Sequence, residues 1–354
     1  MMMTNLWNRI GRRASFETDR ILKSNRYYNW YVFCRRLSNE MEQTIMPHYT
    51  QEGNHEKVCG SEVVVIHNGW TESGGLADRL RGIVSTFLLC KEIGRDFRIM
   101  FTHPFPLEMF LQPNTYDWRI HEENVRFSLS QASPVFLEIG SESRWQSIEQ
   151  KKFLRKHITE ACEKQVHVYT NALFAYHENF SEVFHELFKP SERLQHSIDR
   201  ELTTLGKDYV SVSARFVGAL GDFDDTVDVD VLPTDKKEWL LNVCMTEIEK
   251  IHTMHPEATL LVNSDSNTFL QRAQQLPYVH IISGTIIHLD VIKNKTEEVY
   301  ETYEKTFLDF FMIANAKCIY RLTGKWVRPS GFPYAASLIN GRPFHSIDFT
   351  FQPR

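Results

Sequence analysis

The sequence has few cysteines, and they follow no metal-binding or disulfide pattern. Its 354 residues include six scattered cysteines without a C-x-x-C pair, so we expect reduced thiols that lie mainly in the core. The G-x-S-x-G, Walker A and H-E-x-x-H patterns are also missing from the sequence. Their absence excludes the common hydrolase, P-loop and metalloprotease classes.

Long apolar runs and an excess of positive charge are missing as well. No run reaches 18 apolar residues, the length that a membrane-spanning helix needs. Arg12 and Arg13 follow the weakly apolar start of the chain, whereas in an export signal the basic residues precede the apolar segment. The net charge of −5 gives no global attraction for nucleic acid. We therefore expect a cytoplasmic protein that binds no nucleic acid and holds any anion in a local basic pocket.

The length and the patterning predict two lobes and an extension. Residues 1–50 are rich in arginine and aromatic residues at near-helical intervals, which predicts an N-terminal helical extension packed on the body. Their basic residues leave peripheral contact with a membrane surface open as an alternative. We place an amino-terminal lobe at residues 51–205 and a carboxyl-terminal lobe at residues 206–354.

Each lobe shows strand and helix patterns that alternate along the chain, although residues 100–205 are largely unassigned. A buried strand over 62–67, a glycine loop and a helix over 76–93 with a stop at Gly94 open the first lobe. The second lobe is predicted to contain strands at 208–216, 259–264, 280–283 and 317–321, with helices at 234–252, 267–276, 297–316 and 331–339. In the first of these helices, Asp235 and Glu238 have capping-box spacing. The fold class is therefore α/β, with two Rossmann-like lobes.

The first candidate site is the glycine loop that opens the helix at residue 76. Gly74 and Gly75 would let the backbone approach a ligand, and the helix start would present free N–H groups to it. Asp78 and Arg79 follow in the same motif. The alternative is a tight turn without a ligand.

The second and third candidate sites lie where predicted strands end. Arg215 ends a strand at the position where open α/β sheets bind ligands, and its guanidinium suits a phosphate. Its alternative partner is the acidic loop that follows. Ser264 and Asp265 end the next strand, where a carboxylate suits a ribose or a guanine, and an N-cap for the following helix is the alternative.

The fourth candidate site is a basic, glycine-containing loop near the carboxyl end of the chain. Its cations and its helix start are typical of a diphosphate site that needs no metal, and exposure of the cations to solvent is the alternative. The residues concerned are Lys325, Arg328, Ser330, Gly331 and Phe332.

These segments together resemble the motifs of the GT-B fucosyltransferase superfamily, which includes bacterial α-1,2, nodulation-factor and protein O-fucosyltransferases. Residues 74–95 resemble its amino-terminal glycine motif, residues 209–222 stand in the place of its H-x-R-x-G-D motif, and residues 305–332 resemble its donor-site motif. Here Ser213 replaces the motif histidine, six residues separate Arg215 from Asp222, and Asp78 replaces the usual asparagine.

The resemblance implies two facing lobes in a GT-B arrangement and an inverting transfer of fucose from GDP-fucose, without a metal or another cofactor. The acceptor would be a glycan or a lipid-linked oligosaccharide, as in polysaccharide biosynthesis. Arg215 would bind the donor phosphate, and Asp222 is the candidate base. Another nucleotide sugar, or a non-catalytic binding relative, stays open. Asp228 and Asp230 have the D-x-D form of metal-dependent glycosyltransferases, but in this acidic loop we expect solvated charge.

Overall fold

The structure is a computed structural model that describes residues 34–50, 61–138, 144–172, 179–223, 229–284, 286–287, 289 and 299–349. Most of the predicted N-terminal extension, residues 1–33, lies outside the described residues. The same holds for Asp228 and most of the acidic loop.

The described part of the chain alternates between strands and helices. Its strands are β1 (Val63–His67), β2 (Phe97–Phe101), β3 (Leu111–Pro113), β4 (Ala132–Leu137), β5 (Gln165–Thr170), β6 (Phe188–Pro190), β7 (Val210–Ala214), β8 (Leu260–Ser264), β9 (Val279–His280), β10 (Cys318–Thr323) and β11 (Phe344–Asp348). Its α-helices are α1 (Leu76–Ile93), α2 (Arg144–Glu160), α3 (Phe180–Leu187), α4 (Glu192–Leu205), α5 (Thr234–Met254), α6 (Asn267–Ala273), α7 (Val299–Asn315) and α8 (Phe332–Ile339). The α/β class is confirmed.

Two parallel sheets organise the molecule. The first has the strand order β2-β1-β5-β4 and the second has the order β11-β10-β7-β8-β9, while β3 and β6 form a separate antiparallel pair. The central strands β1, β5, β7 and most of β8 are buried, as parallel strands covered by helices on both faces must be. The lobe boundaries at residues 50 and 205 stay a prediction.

Helix α1 shows how the sequence sets local structure. It begins after Gly75 and ends at Gly94, whose φ of +70° is the left-handed conformation that glycine adopts at a helix end. Inside the helix, a Cβ at Gly82 would lie 2.5 Å from the carbonyl oxygen of Thr170. Glycine at this position therefore lets α1 lie directly on the end of β5.

Helix α5 begins at Thr234 as predicted, but the capping box is wrong. The residue before the helix is Pro233, and no side chain caps this end. Asp235 lies inside the first turn, so it cannot take the N-cap position that the spacing with Glu238 requires.

The carboxyl-terminal helices pack against the first lobe as well as the second sheet. Phe307 of α7 stacks on Phe110 with ring centroids 4.2 Å apart, and it also contacts Phe105. Residues of α7 and α8 share one apolar core with the first sheet. This core fixes the start of α8 close to the start of α1.

Residues 34–50 lie on the first lobe. Ile45 and Tyr49 are buried, and the Tyr49 hydroxyl lies 2.6 Å from His167 Nδ1 and 3.1 Å from the Tyr169 hydroxyl of β5. Arg36 forms an ion pair with Glu138. Within the described residues, no helix is both long enough and apolar enough to cross a membrane.

Candidate functional site

A cavity of about 160 Å³ opens where α1 faces the carboxyl ends of β7 and β8. Its walls include residues 75–78 at the start of α1, residues 213–215 and 263–265 at the strand ends, and residues 330–332 at the start of α8. Ligands of open α/β sheets bind outside the carboxyl ends of the strands. The cavity therefore has the position of a ligand site.

Two helix starts point into this cavity. Gly75 precedes α1 without a side-chain cap. Gly331 precedes α8, where the N–H of Phe332 donates to the Ser330 hydroxyl at 3.3 Å and the next residue, Pro333, has no N–H. The first N–H groups of a helix have no partner within the helix, and the helix dipole makes this end positive. An anion between the two helices would meet the first amides of α1 and the positive end of the α8 dipole.

Arg79 fixes the shape of the glycine loop from behind. Its side chain is buried, and it donates from Nε to the carbonyl oxygen of Gly74 at 3.0 Å and from a terminal nitrogen to that of His103 at 2.6 Å. Gly74 has φ +73°, and a Cβ there would lie 2.8 Å from a carboxylate oxygen of Asp78. Gly75 and Asp78 line the cavity, whereas Gly74 and Arg79 do not.

Asp265 holds the turn that follows Arg215. Its two carboxylate oxygens accept hydrogen bonds from the backbone N–H groups of Phe216 at 2.8 Å and Val217 at 2.7 Å. Burial raises the pKa of Asp265, and the amide bonds and the nearby Arg215 oppose that rise. Arg215 and Asp265 both line the cavity beside Ser264, but the Asp265 carboxylate already accepts two backbone hydrogen bonds.

Asp222 lies at the start of α6 and is not part of the cavity wall. One of its oxygens accepts hydrogen bonds from the Ser266 hydroxyl at 2.9 Å and the Thr268 N–H at 2.6 Å. Ser266 is the N-cap of α6. The N-cap that was the alternative for Ser264 and Asp265 is therefore the residue after Asp265. A base must reach the proton that it takes, and Asp222 lies outside the cavity wall; its role as base stays a prediction.

The basic loop is brought to the cavity only in part. Ser330, Gly331 and Phe332 line it, but the side chains of Lys325 and Arg328 are exposed and do not. Lys325 Nζ lies 4.6 Å from the ring centroid of Trp326, and the backbone N–H of Arg328 donates to the carbonyl oxygen of Arg215 at 2.8 Å. In the structure, Lys325 and Arg328 are therefore exposed to solvent, which was the alternative to a role in the site.

Sequence reasoning missed a buried ion pair in the cavity wall. Lys305 Nζ lies 2.9 Å from a carboxylate oxygen of Asp309 and donates to the carbonyl oxygen of Ile282 at 2.7 Å. Burial raises the pKa of Asp309, and Lys305 opposes that rise. Lys305 and Asp309 lie in the segment that resembles the donor-site motif, but only their spacing of four residues on a predicted helix points to a pair, and that spacing is usual for exposed pairs.

Ser213 was noted only as a replacement for a histidine. It is 3% exposed, it lines the cavity, and its hydroxyl has no hydrogen-bond partner in the described part of the chain. Buried hydroxyls normally have a partner, so Ser213 leaves a hydroxyl in the cavity wall that is available to a ligand. Among the described residues, no group of three or more His, Cys, Asp and Glu is arranged to hold a metal ion.

Comparison with known proteins identifies the fold. Neither a protein family nor a curated protein matches the chain by sequence. NodZ alpha-1,6-fucosyltransferase co-crystallized with GDP is 16% identical, with 78% of this chain and 92% of that chain covered and a TM-score of 0.50. The selenomethionine form of NodZ from Bradyrhizobium gives the same values. FUT1 of Arabidopsis thaliana is 12% identical over 90% of this chain and 74% of that chain, with a TM-score of 0.49.

These identities are low, and the likeness describes the fold alone. It agrees with the resemblance found in the motifs, and the expected fold class is confirmed. The chain has the two-lobed, GT-B-like fold that NodZ also has.

Proposed function

We propose that the protein is a glycosyltransferase that transfers fucose from GDP-fucose to a hydroxyl group of a glycan or a lipid-linked oligosaccharide, with inversion and without a metal. The observation that carries the proposal is the cavity at the strand ends, where two helix starts and Arg215 meet. NodZ, which has the same fold, has been crystallised with GDP.

The proposed chemistry requires stabilisation of a leaving diphosphate. Negative charge on GDP grows as the bond to the sugar breaks, so fixed donors at that position lower the barrier. Arg215 is such a donor, and the positive end of the α8 dipole adds to its effect. Asp265 fixes the turn after Arg215, and core packing fixes the start of α8. These groups would replace the cation that other nucleotide-sugar enzymes use.

The start of α1 would then face the acceptor. Residues 75–78 lie across the cavity from the strand ends of the second sheet, which is where an attacking hydroxyl must approach for inversion. Each carboxylate of the cavity wall has a partner: Asp78 pairs with Arg81, Asp265 with backbone amides, and Asp309 with Lys305. The proposal therefore assigns no residue as the base.

Those occupied carboxylates and Ser213 favour a second candidate function, a non-catalytic relative that binds nucleotide sugars. Binding needs only the donors around the cavity, whereas transfer also needs a path for the proton of the acceptor.

A third candidate function is transfer from another nucleotide sugar. Among the described cavity residues, no group distinguishes guanine from other bases.

A binding and turnover series tests these alternatives. We expect GDP to raise the melting temperature with EDTA present, because a ligand that binds only the native state stabilises it. We also expect GDP-fucose to be hydrolysed slowly without an acceptor. Stabilisation by UDP alone that EDTA abolishes would contradict the donor and the metal independence. Tight GDP binding without hydrolysis or transfer would favour the non-catalytic relative.

A further inference from the structure

Arg81 belongs to α1 of the first lobe and does not itself line the cavity, yet its guanidinium lies beside Gly331 at the start of α8. It forms an ion pair with Asp78, which lines the cavity, and its side chain is only 14% exposed. A Cβ at Gly331 would lie 3.6 Å from each of its two terminal nitrogens. The guanidinium therefore lies between Asp78 and the start of α8.

This is an unfavourable place for a cation when no anion is bound. The N-terminal end of a helix is positive and repels a nearby arginine, and the start of α1 and Arg215 add positive potential around the same cavity. Only Asp78 offsets the charge of Arg81 among the ion pairs of the described residues. Arg81 Nε is also buried without a hydrogen-bond partner there.

A second buried polar group without a hydrogen-bond partner among the described residues lies in the cavity wall itself. Ser213 is 3% exposed, and its hydroxyl lacks a partner within the described residues. An oxygen-rich anion between Asp78 and the start of α8 would give the Arg81 guanidinium an acceptor, and a forked guanidinium binds phosphate oxygens with two parallel bonds.

We propose that Arg81 is a donor-binding residue that reaches across from the first lobe, and that it exchanges its bond to Asp78 for the diphosphate when the donor binds. This inference rests on the proposed function and adds a cation that neither the sequence motifs nor the cavity wall had assigned. Asp78 then acts as a competitor that holds Arg81 in place while the cavity contains no anion.

Two substitutions separate this role from a structural ion pair. Arg81→Gln removes the cation, and we expect GDP and inorganic pyrophosphate to bind about 10- to 100-fold more weakly, as for loss of a charge-assisted hydrogen bond. Asp78→Asn frees Arg81 from its competitor, so both ligands should bind at least as tightly as in the wild type. A pair with a purely structural role would make the two variants equally weak.

Two control variants distinguish the loss of the Arg81 cation from a general loss of positive charge. Arg155→Gln removes an equal charge from an exposed ion pair with Glu92 in the same lobe, and binding should not change. Arg81→Lys keeps a charge and should recover part of the affinity. If Arg81→Gln does not fold, the Asp78→Asn result decides.

Calorimetry on the full chain gives the answer. Unchanged affinity for pyrophosphate and GDP in Arg81→Gln, or weaker binding in Asp78→Asn, would overturn the inference about Arg81. The proposed function would still stand if the wild type binds GDP. A wild type that binds neither GDP, UDP nor pyrophosphate would overturn both.

Discussion

Replacing Asp265 with asparagine should loosen the turn that carries Arg215. The two carboxylate oxygens accept backbone hydrogen bonds at 2.8 and 2.7 Å from Phe216 and Val217. An asparagine retains one acceptor oxygen and turns an N–H donor toward the other amide. One buried amide then loses its partner, at a cost of about 1–3 kcal/mol.

The strain in this turn transmits the effect of the substitution to Arg215 in the cavity wall. Val217 has φ +52°, a conformation that costs a residue other than glycine about 1–3 kcal/mol and persists only when its surroundings hold it. Without the second bond, the turn relaxes and Arg215 loses its fixed direction. We expect GDP to bind at least about tenfold more weakly, equivalent to about 1.4 kcal/mol.

Urea denaturation and GDP titration of the same preparations measure both effects. Asp222→Asn is the control, because one oxygen of that carboxylate accepts both of its hydrogen bonds and serves the start of α6 outside the cavity. The amide oxygen of asparagine can keep both bonds, so stability should fall less than in Asp265→Asn and GDP affinity should not change. Full stability and full GDP affinity in Asp265→Asn would refute the role assigned to this carboxylate.

Three further predictions follow from other parts of the structure. Tyr49→Phe should lower the free energy of unfolding by about 1–3 kcal/mol, because it leaves His167 Nδ1 buried without a partner; an unchanged urea midpoint would contradict it. Burial lowers the pKa of His167 to about 3, so as the pH decreases the unfolded state binds the proton before the folded state does. The free energy of unfolding should therefore fall by up to about 1.4 kcal/mol for each pH unit of acidification between pH 6.5 and 3. His167→Gln should reduce that slope in urea titrations, and an equal slope would contradict the assignment. Arg215→Lys should slow transfer about 100- to 1000-fold, whereas the exposed Arg328→Lys should change it far less; equal rates of transfer would show that Arg215 is not a phosphate ligand.

The sequence predicts those parts of the fold whose signals are local. Helix α1 was predicted because its apolar residues repeat at three and four positions between Gly75 and Gly94, and β1 because its residues are an unbroken β-branched run. The strand predicted at 280–283 is shorter, Val279–His280, and lies at the edge of its sheet. A sheet edge has only one neighbour to fix its length.

The strands β4 and β5 were not predicted because long-range contacts stabilise them. Pro134 lies within β4, and β5 buries the polar residues Gln165 and His167. Gln165 is satisfied by Asn124 and Arg126 from a distant loop, and His167 by Tyr49. No local pattern of apolar residues reveals such a strand.

The same limit applies to the site. Gly75, Arg215 and Ser330 follow from positions at helix starts and strand ends, which sequence patterns show. The sequence could not show that a bridge between Gly324 and Val327 places Lys325 outside the cavity. Nor could it show that Lys305 is buried against Ile282, because that contact depends on how α7 packs.

A crystal structure of the GDP complex, grown with EDTA, tests the central claim most directly. The account predicts the diphosphate in the cavity, with its oxygens bonded to Arg215 near the start of α8, and with Arg81 turned from Asp78 toward the phosphates. GDP bound elsewhere, or bound only with a metal ion at Asp228 and Asp230, would contradict it.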